Sequence, residues 1–405
     1  AKGPKDVTLM NGYLAVAFGI STTPPWGIPP GHIIDLAPVG ERAYDVIAQF
    51  SFPLNDWGSW ASITQFEILE RGPQRAVIKA TGSWKDLRVE YTYVLESGKP
   101  YLKVVVNVTN TGTSPYTNNI MGPAISFEVG WTFVPGYGTG RITTSPKANY
   151  GITEDWVAGY YDNYAIGLYV PNYTHISLHT MFVDPFYQVT LNPGESKVFE
   201  SYIIVLNTPD TCRVAQIIQM LRDGGLASIE GTVTNTKNTP LENAAVVAYL
   251  GDKPYCWSLT GSNGTYAMQL PAPNNYTLLA VAKAHKPSSS QKITVQPDEE
   301  VVLDFKDVVS PGKLVVNVFR NDTGKPVDAR LRLSGGYVPP VAYMAVTTAY
   351  TDLRRVGYAE VELAPGTYNV TVEYGVDFYS LPKNITVSVE SEKITEVNVT
   401  IDILF

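Results

Sequence analysis

Cysteine is almost absent from this sequence, histidine is scarce and charge is thin. Two cysteines and four histidines in 405 residues exclude a dense disulfide framework and any zinc cluster built on paired Cys-X-X-Cys motifs. Charged residues make up only 17% of the chain and the net charge is −8. The longest basic cluster is Arg354-Arg355, so no basic stripe exists to neutralise phosphates and nucleic acid is excluded as a partner. No apolar run reaches the roughly 18 residues that a transmembrane helix needs. Also missing are a Gly-X-Ser-X-Gly elbow, a phosphate-binding glycine loop and a His-Glu-X-X-His pair, the marks of many hydrolases, nucleotide hydrolases and metalloproteases. No catalytic residue, metal or cofactor is expected, and an enzyme is the less favoured class.

Turn and strand residues are plentiful instead: 33 Gly, 29 Pro and 26 Tyr. The chain exceeds the roughly 250–300 residues that one core supports, so two or three domains are expected. Residues 1–207 read as a series of strands: NGYLAVAFGI, ITQFEILERG, QRAVIKATGSW, LRVEYTYVLESG and YLKVVVNVTNTG alternate in polarity and are stopped by Gly, Pro or Asn-Thr. The segment STTPPWGIPPGH is too rich in proline for a central strand. One helix is predicted within 208–226, with Thr208 as N-cap, Pro209 in its first turn and Asp210 beside its N-terminus. Val214, Ile217, Ile218 and Leu221 form its apolar stripe, and Gly224-Gly225 ends it.

The second half repeats itself. Residues 227–308 run strand, polar turn, Pro240, strand, then Asn263-Gly264 before the alternating Tyr266, Met268 and Leu270. Residues 309–405 copy this pattern. Thr323-Gly324-Lys325-Pro326 matches the turn before Pro240, Gly357-Tyr358 matches Gly264 to Tyr266, and Pro365 to Tyr368 matches Pro273 to Tyr276. Both copies resemble the carboxypeptidase regulatory-like, or prealbumin-like, β-sandwich modules found in secreted and surface proteins. The first half, through Asn11-Gly12-Tyr13-Leu14, FEILERGPQRAVIKATG and LNPGESKVFESYIIV, is similar to the supersandwich domains of carbohydrate-active proteins. Together these imply an all-β chain: a large N-terminal supersandwich (1–207), a helix and linker (208–226), and two small prealbumin- or Ig-like sandwiches (227–308 and 309–405). The last strand, Val397 to Phe405, is apolar enough to pair within its own domain or with another subunit's sheet edge.

Residues that could carry chemistry are scattered. His175 and His179 lie in an alternating stretch, about 13 Å apart if extended, which is too far to share one metal. Lys147, Arg141 and Lys197 match no lyase motif and read as surface residues. Glu154, Asp155 and Asp162 read as a solvated acidic loop, with calcium as the milder alternative. Trp57, Trp60, Trp131 and Tyr137, with Phe133 and Tyr160-Tyr161, either plug the ends of a core or present rings to a sugar or partner. N-glycosylation sequons stand at Asn107, Asn172, Asn263, Asn275, Asn321, Asn369, Asn384 and Asn398. Cys212 and Cys256 either close one disulfide or remain as buried thiols. The start AKGPKDV, without an initiator methionine, reads as a chain from which a signal peptide has been cut. The expectation is a secreted, acidic glycoprotein that forms homo-oligomers or polymers at a cell surface. The alternative is a protein that binds or acts on polysaccharide.

Overall fold

The computed structural model describes residues 3–23, 27–40, 46–127, 130–375 and 380–404. Pro24, Pro25 and Trp26 of the proline-rich loop, and Phe405 of the last strand, lie outside the described residues. The fold is all-β with one α-helix among the described residues. Two compact units emerge: Ala1–Gly224 with Asp252–Cys256, and the remainder, Gly225–Gly251 with Trp257–Phe405.

The first unit is a two-sheet sandwich. Among the described residues one sheet has nine strands and the other eight. Period-two patterning explains how they meet: in the strand Tyr101–Asn110, Leu102, Val104, Val106 and Val108 are buried while the residues between them stay half exposed. These side chains share one core with Val16, Phe18, Leu36 and Ile125 of the nine-stranded sheet. Some strands of the eight-stranded sheet break the alternation, as in Ser196–Leu206, where Ser201 to Val205 are buried in succession. Trp156–Tyr160 and Ala165–Tyr169 are buried at every position, so each needs cover on its outer face as well.

The helix Thr211–Leu221 supplies part of that cover. Its apolar stripe, Val214, Ile217 and Ile218, is buried, and a Cβ on Gly167 would sit 2.2 Å from Val214 Cγ1. Only glycine allows so close an approach. Tyr255 packs edge-on against Trp156, and Cys256 is joined to helix residue Cys212 with Cα atoms 4.8 Å apart. The helix start differs from the sequence expectation. Asp210, and neither Thr208 nor Pro209, is the N-cap, its carboxylate accepting from the Arg213 N–H at 2.8 Å. A charged acceptor at the helix N-terminus gains from the dipole as well as the hydrogen bond. At the other end Asp223 takes the left-handed conformation, the Gly224 N–H reaches the Gln219 carbonyl and the Asp223 N–H that of Met220.

The second unit holds two sandwiches built alike. In the first, Leu226–Asn235 pairs antiparallel with Thr265–Pro271 and parallel with Glu300–Val302. In the second, Gly312–Arg320 pairs antiparallel with Tyr358–Leu363 and parallel with Ile394–Ile401. The opposing sheets join Ala245–Leu250 to Asn274–Val281 and Arg330–Gly335 to Gly366–Glu373. The matched turns superimpose in their chemistry. Gly264 and Gly357 share φ of +75°; their carbonyls accept from Val233 and Val318 N–H; Pro240 and Pro326 bridge to Thr234 and Phe319. Thr260 and Thr351 hydroxyls both accept from an alanine N–H, of Ala244 and Ala329. Tyr276 and Tyr368 both donate to a carbonyl a few residues back, of Pro271 and Ala364.

A Cβ on Gly357 would lie 2.6 Å from the Val318 carbonyl, whereas one on Gly324, also left-handed, would meet nothing within 4 Å. Gly324→Ala should therefore cost only the left-handed penalty of about 1–2 kcal/mol, and Gly357→Ala should cost clearly more. Urea unfolding of the two variants checks the order; equal losses would contradict this account of the turn.

Candidate functional site

The nine-stranded sheet carries a second layer on the face turned away from the core. Strand registers define it. Ser126 of Ala124–Phe127 lies opposite Gln49 of Ile47–Ser51 and opposite Phe182 of Phe182–Leu191. Two pairs further along, Ala124 faces Ser51. The intervening row, Phe50, Ile125 and Val183, belongs to the core, so the Gln49 and Ser51 rows point the other way. Both rows are nonetheless covered: Gln49 and Ser51 are each 1% exposed and Asp184 is fully buried.

The cover is the loop Asn55-Asp56-Trp57-Gly58-Ser59-Trp60. Ser59 Oγ accepts from the Leu54 and Asn55 N–H groups and donates to the Asp56 carbonyl, while Asp56 and Gly58 take positive φ. This tight turn lays two indoles on the sheet. Trp57 Nε1 donates to Asp184 Oδ2 at 2.9 Å and Trp60 Nε1 to Ser51 Oγ at 3.2 Å. The rings meet edge to face at 5.9 Å, and Trp57 meets Phe182 in the same way. At the hairpin tip, where the His179 N–H bonds the Phe182 carbonyl, the His179 ring stacks on Phe182 at 4.3 Å.

Beside Trp57 opens a cavity of about 650 Å³, lined by Gln49, Ser126, His179, Met181 and Phe182 among others. Gln49 Oε1 is buried there without a hydrogen-bond partner. Burial pushes the Asp184 carboxyl well above the usual carboxylate range, against the opposing pull of its Trp57 donor, so it holds its proton to higher pH than an exposed carboxylate does. His179 is held below its ordinary value by desolvation first and the Arg141 charge second.

The other aromatic residues singled out from sequence lie elsewhere. Trp131 stacks on Tyr161 at 5.4 Å, and Tyr137 meets Tyr150 edge-on. His175 sits on the strand His175–Leu178 with Nδ1 3.0 Å from Thr174 Oγ1. The expected solvated acidic loop is corrected for Glu154 and Asp155, while Asp162 is exposed. Asp155 pairs with Lys147 at 2.7 Å and Glu154 with Arg222 at 3.2 Å, all four side chains less than a third exposed. Lys147 also lies over the Tyr173 ring and Arg222 over that of Tyr169. Both cations are committed to this half-buried network, which ties the end of the helix to the sheet. No group of three or more metal-binding side chains gathers among the described residues, and no described helix is long and apolar enough to cross a membrane. Of the sequon asparagines, Asn172, Asn263, Asn275, Asn321, Asn369, Asn384 and Asn398 are exposed, while Asn107 is half-buried in mid-strand between Glu90 and Val198. Two sequons face each other across one strand pair, Thr371 donating to Asn384 Oδ1 and Thr386 to Asn369 Oδ1.

Residues 228–306 match the carboxypeptidase regulatory-like domain family, in the segment where the sequence resemblance was strongest. No curated protein matches the chain. Among solved structures, a minor pilin of Streptococcus agalactiae shares 16% identity over 45% of this chain and 97% of its own, with a TM-score of 0.30. A putative aldose 1-epimerase of Escherichia coli K12 shares 13% over 50% of this chain and 99% of its own, with a TM-score of 0.33. A family 36 α-galactosidase of Geobacillus stearothermophilus shares 11% over 52% of this chain, at a TM-score of 0.36, and this chain covers 41% of it. These likenesses are slight and carry no inference about activity.

The raised Asp184 carboxyl gives a pH test. Its folded value is raised, so the unfolded chain releases the proton first, and stability falls as pH climbs above about 4 toward the folded value. Asp184→Asn keeps an acceptor for Trp57 and has no proton to lose. The variant should melt several degrees higher than the wild type at pH 7, with the gap narrowing toward pH 4. A gap independent of pH would contradict the assignment.

Proposed function

We propose that this chain is an extracellular structural glycoprotein, a repeating subunit of a surface layer, filament or sheath that assembles through its β-domains. The observation that carries this reading is an apolar edge on the second small sandwich. Tyr350 is 67% exposed and Leu353 95%, and both line a groove of about 530 Å³ with Ala329, Arg330 and Tyr374. Two large apolar side chains left together in water beside an open groove support the reading of a contact surface there. A second copy of the chain is the occupant proposed. Leu353→Glu should weaken self-association by at least about tenfold in sedimentation velocity without lowering the melting temperature. Unchanged association would count against this surface.

The sequons support the same reading. The seven exposed asparagines stand on turns or on solvent-facing strand positions, where a glycan adds bulk without disturbing a core. Glycopeptide mapping of protein from its native source should find glycan on several of these seven and none at Asn107, whose neighbours on both adjacent strands leave little room. Unmodified asparagines throughout would remove the glycoprotein part of the proposal.

A further inference from the structure

We propose that the sequons at Asn369 and Asn384 accept a glycan only before the strands that carry them pair, whereas the sequon at Asn263 stays an acceptor in the folded chain. The inference rests on the glycoprotein reading and adds to it an order of events, in which modification of the second small sandwich precedes its closure.

The chemistry sets two requirements. In N-glycosylation the asparagine Nδ2 attacks C1 of a sugar carried on a lipid diphosphate. The new N–C bond replaces the C–O bond, whose electron pair leaves with the lipid diphosphate, and the proton lost from Nδ2 passes to a base of the transferase. The demand for Ser or Thr two residues on means that the transferase also reads that hydroxyl. An acceptor therefore has to present its amide and its own hydroxyl together, on backbone that can leave its neighbours.

The paired strands deny both. In the register of Gly366–Glu373 with Lys383–Val389, Asn369 lies opposite Thr386 and Thr371 opposite Asn384. The hydroxyls cross over. Thr371, of the Asn369 sequon, donates to Asn384 Oδ1 at 2.7 Å, and Thr386, of the Asn384 sequon, donates to Asn369 Oδ1 at 3.0 Å. Each sequon thus spends its hydroxyl on the amide of the other. Residues two apart on a strand share a face, so two Asn-X-Thr runs in antiparallel register set amide against hydroxyl twice. The backbone adds a second lock. Gly366–Glu373 also pairs with Arg330–Gly335 on its other side, and Val370, inside the first sequon, is fully buried in the sandwich core. Lifting Asn369 to Thr371 out would break the ladder on both sides and open that core.

Asn263 differs at each point. Its Oδ1 accepts from the hydroxyl and the N–H of its own Thr265, at 2.6 and 3.2 Å, so this bond is made within the tripeptide and not across strands. Gly261, Ser262 and Asn263 are exposed in the turn, and of the sequon only Thr265 enters a strand, as the first residue of Thr265–Pro271. A turn at the end of a strand opens at lower free energy than the middle of a sheet.

The test uses the full folded chain, made in a host without N-glycosylation. The reagent is a single-subunit oligosaccharyltransferase, supplied with lipid-linked oligosaccharide, that modifies short peptides covering 258–270, 364–375 and 380–390 at similar rates. On the folded chain it should modify Asn263 at least about tenfold faster than Asn369 or Asn384, as read by mass spectrometry of the glycopeptides. Asn369→Ala takes away the acceptor of the Thr386 hydroxyl. Asn384, on a strand at the edge of its sheet, should then be modified several-fold faster than in the wild type. Similar rates at the three sites of the folded chain overturn the proposal, as does an unchanged rate at Asn384 in the variant. Native protein that carries no glycan would remove the glycoprotein reading and leave these rates as they are. Similar rates on the folded chain, with glycan present on the native protein, would remove this inference alone.

Discussion

Two neighbouring strands with no polar face set the terms for the first unit. Trp156–Tyr160 and Ala165–Tyr169 bury every side chain, so a sheet that alternates between core and solvent in strands such as Tyr101–Asn110 has to be covered twice here. The helix answers one part of that demand through Val214 on Gly167, and Tyr255 answers another against Trp156. Around this contact gather the link between Cys212 and Cys256 and the pairing of Glu154 and Asp155 with Arg222 and Lys147. Leaving such an apolar face open would cost about 25 cal/mol for each Å² exposed. The helix, the bond and the ion pairs are thus successive means of keeping one surface dry.

A comparable second layer lies on the other sheet, made from different material. There the covered rows contain Gln49, Ser51 and Asp184, and the cover is two indoles on a tight turn. A layer sealed by leucine would be stable and inert. One sealed by tryptophan over an amide and a buried acid has directional groups at its margin, and that margin is where the cavity opens. The two small sandwiches, by contrast, repeat one solution: glycine with positive φ beneath a proline, a threonine returning a hydrogen bond, and a tyrosine reaching back along its own chain. Their differences lie at the surface, where Tyr350 and Leu353 stand out from the second.

Much of this architecture is legible in the sequence because it rests on local chemistry. Alternation over YLKVVVNVTN announces a half-buried strand, and Gly264 with Gly357 marks turns that only a residue free of Cβ can make. The matched threonines, Thr260 and Thr351, escape a reading of turns because their partners lie 16 and 22 residues away. The helix cap was misplaced for a related reason: Thr208, Pro209 and Asp210 each suit a helix start, and only the backbone path decides among them. Glu154 and Asp155 read as solvated acids because the cations that pair with them, Lys147 and Arg222, approach from eight and sixty-eight residues away. Gln49 and Asp184 were harder still. On alternating strands they occupy positions that should face water, and nothing local says that a loop will close over them. Trp57 and Trp60 were the available signal, since paired indoles around Gly-Ser ask what surface they cover.

The central claim, that copies of this chain build a larger structure, is tested most directly by negative-stain electron microscopy of the wild-type protein, with its mass in solution measured by light scattering. The account predicts regular filaments, sheets or sheaths and a mass many times the 44.4 kDa of one chain. Isolated particles with the mass of a single chain, at concentrations well above those found at a cell surface, would contradict it.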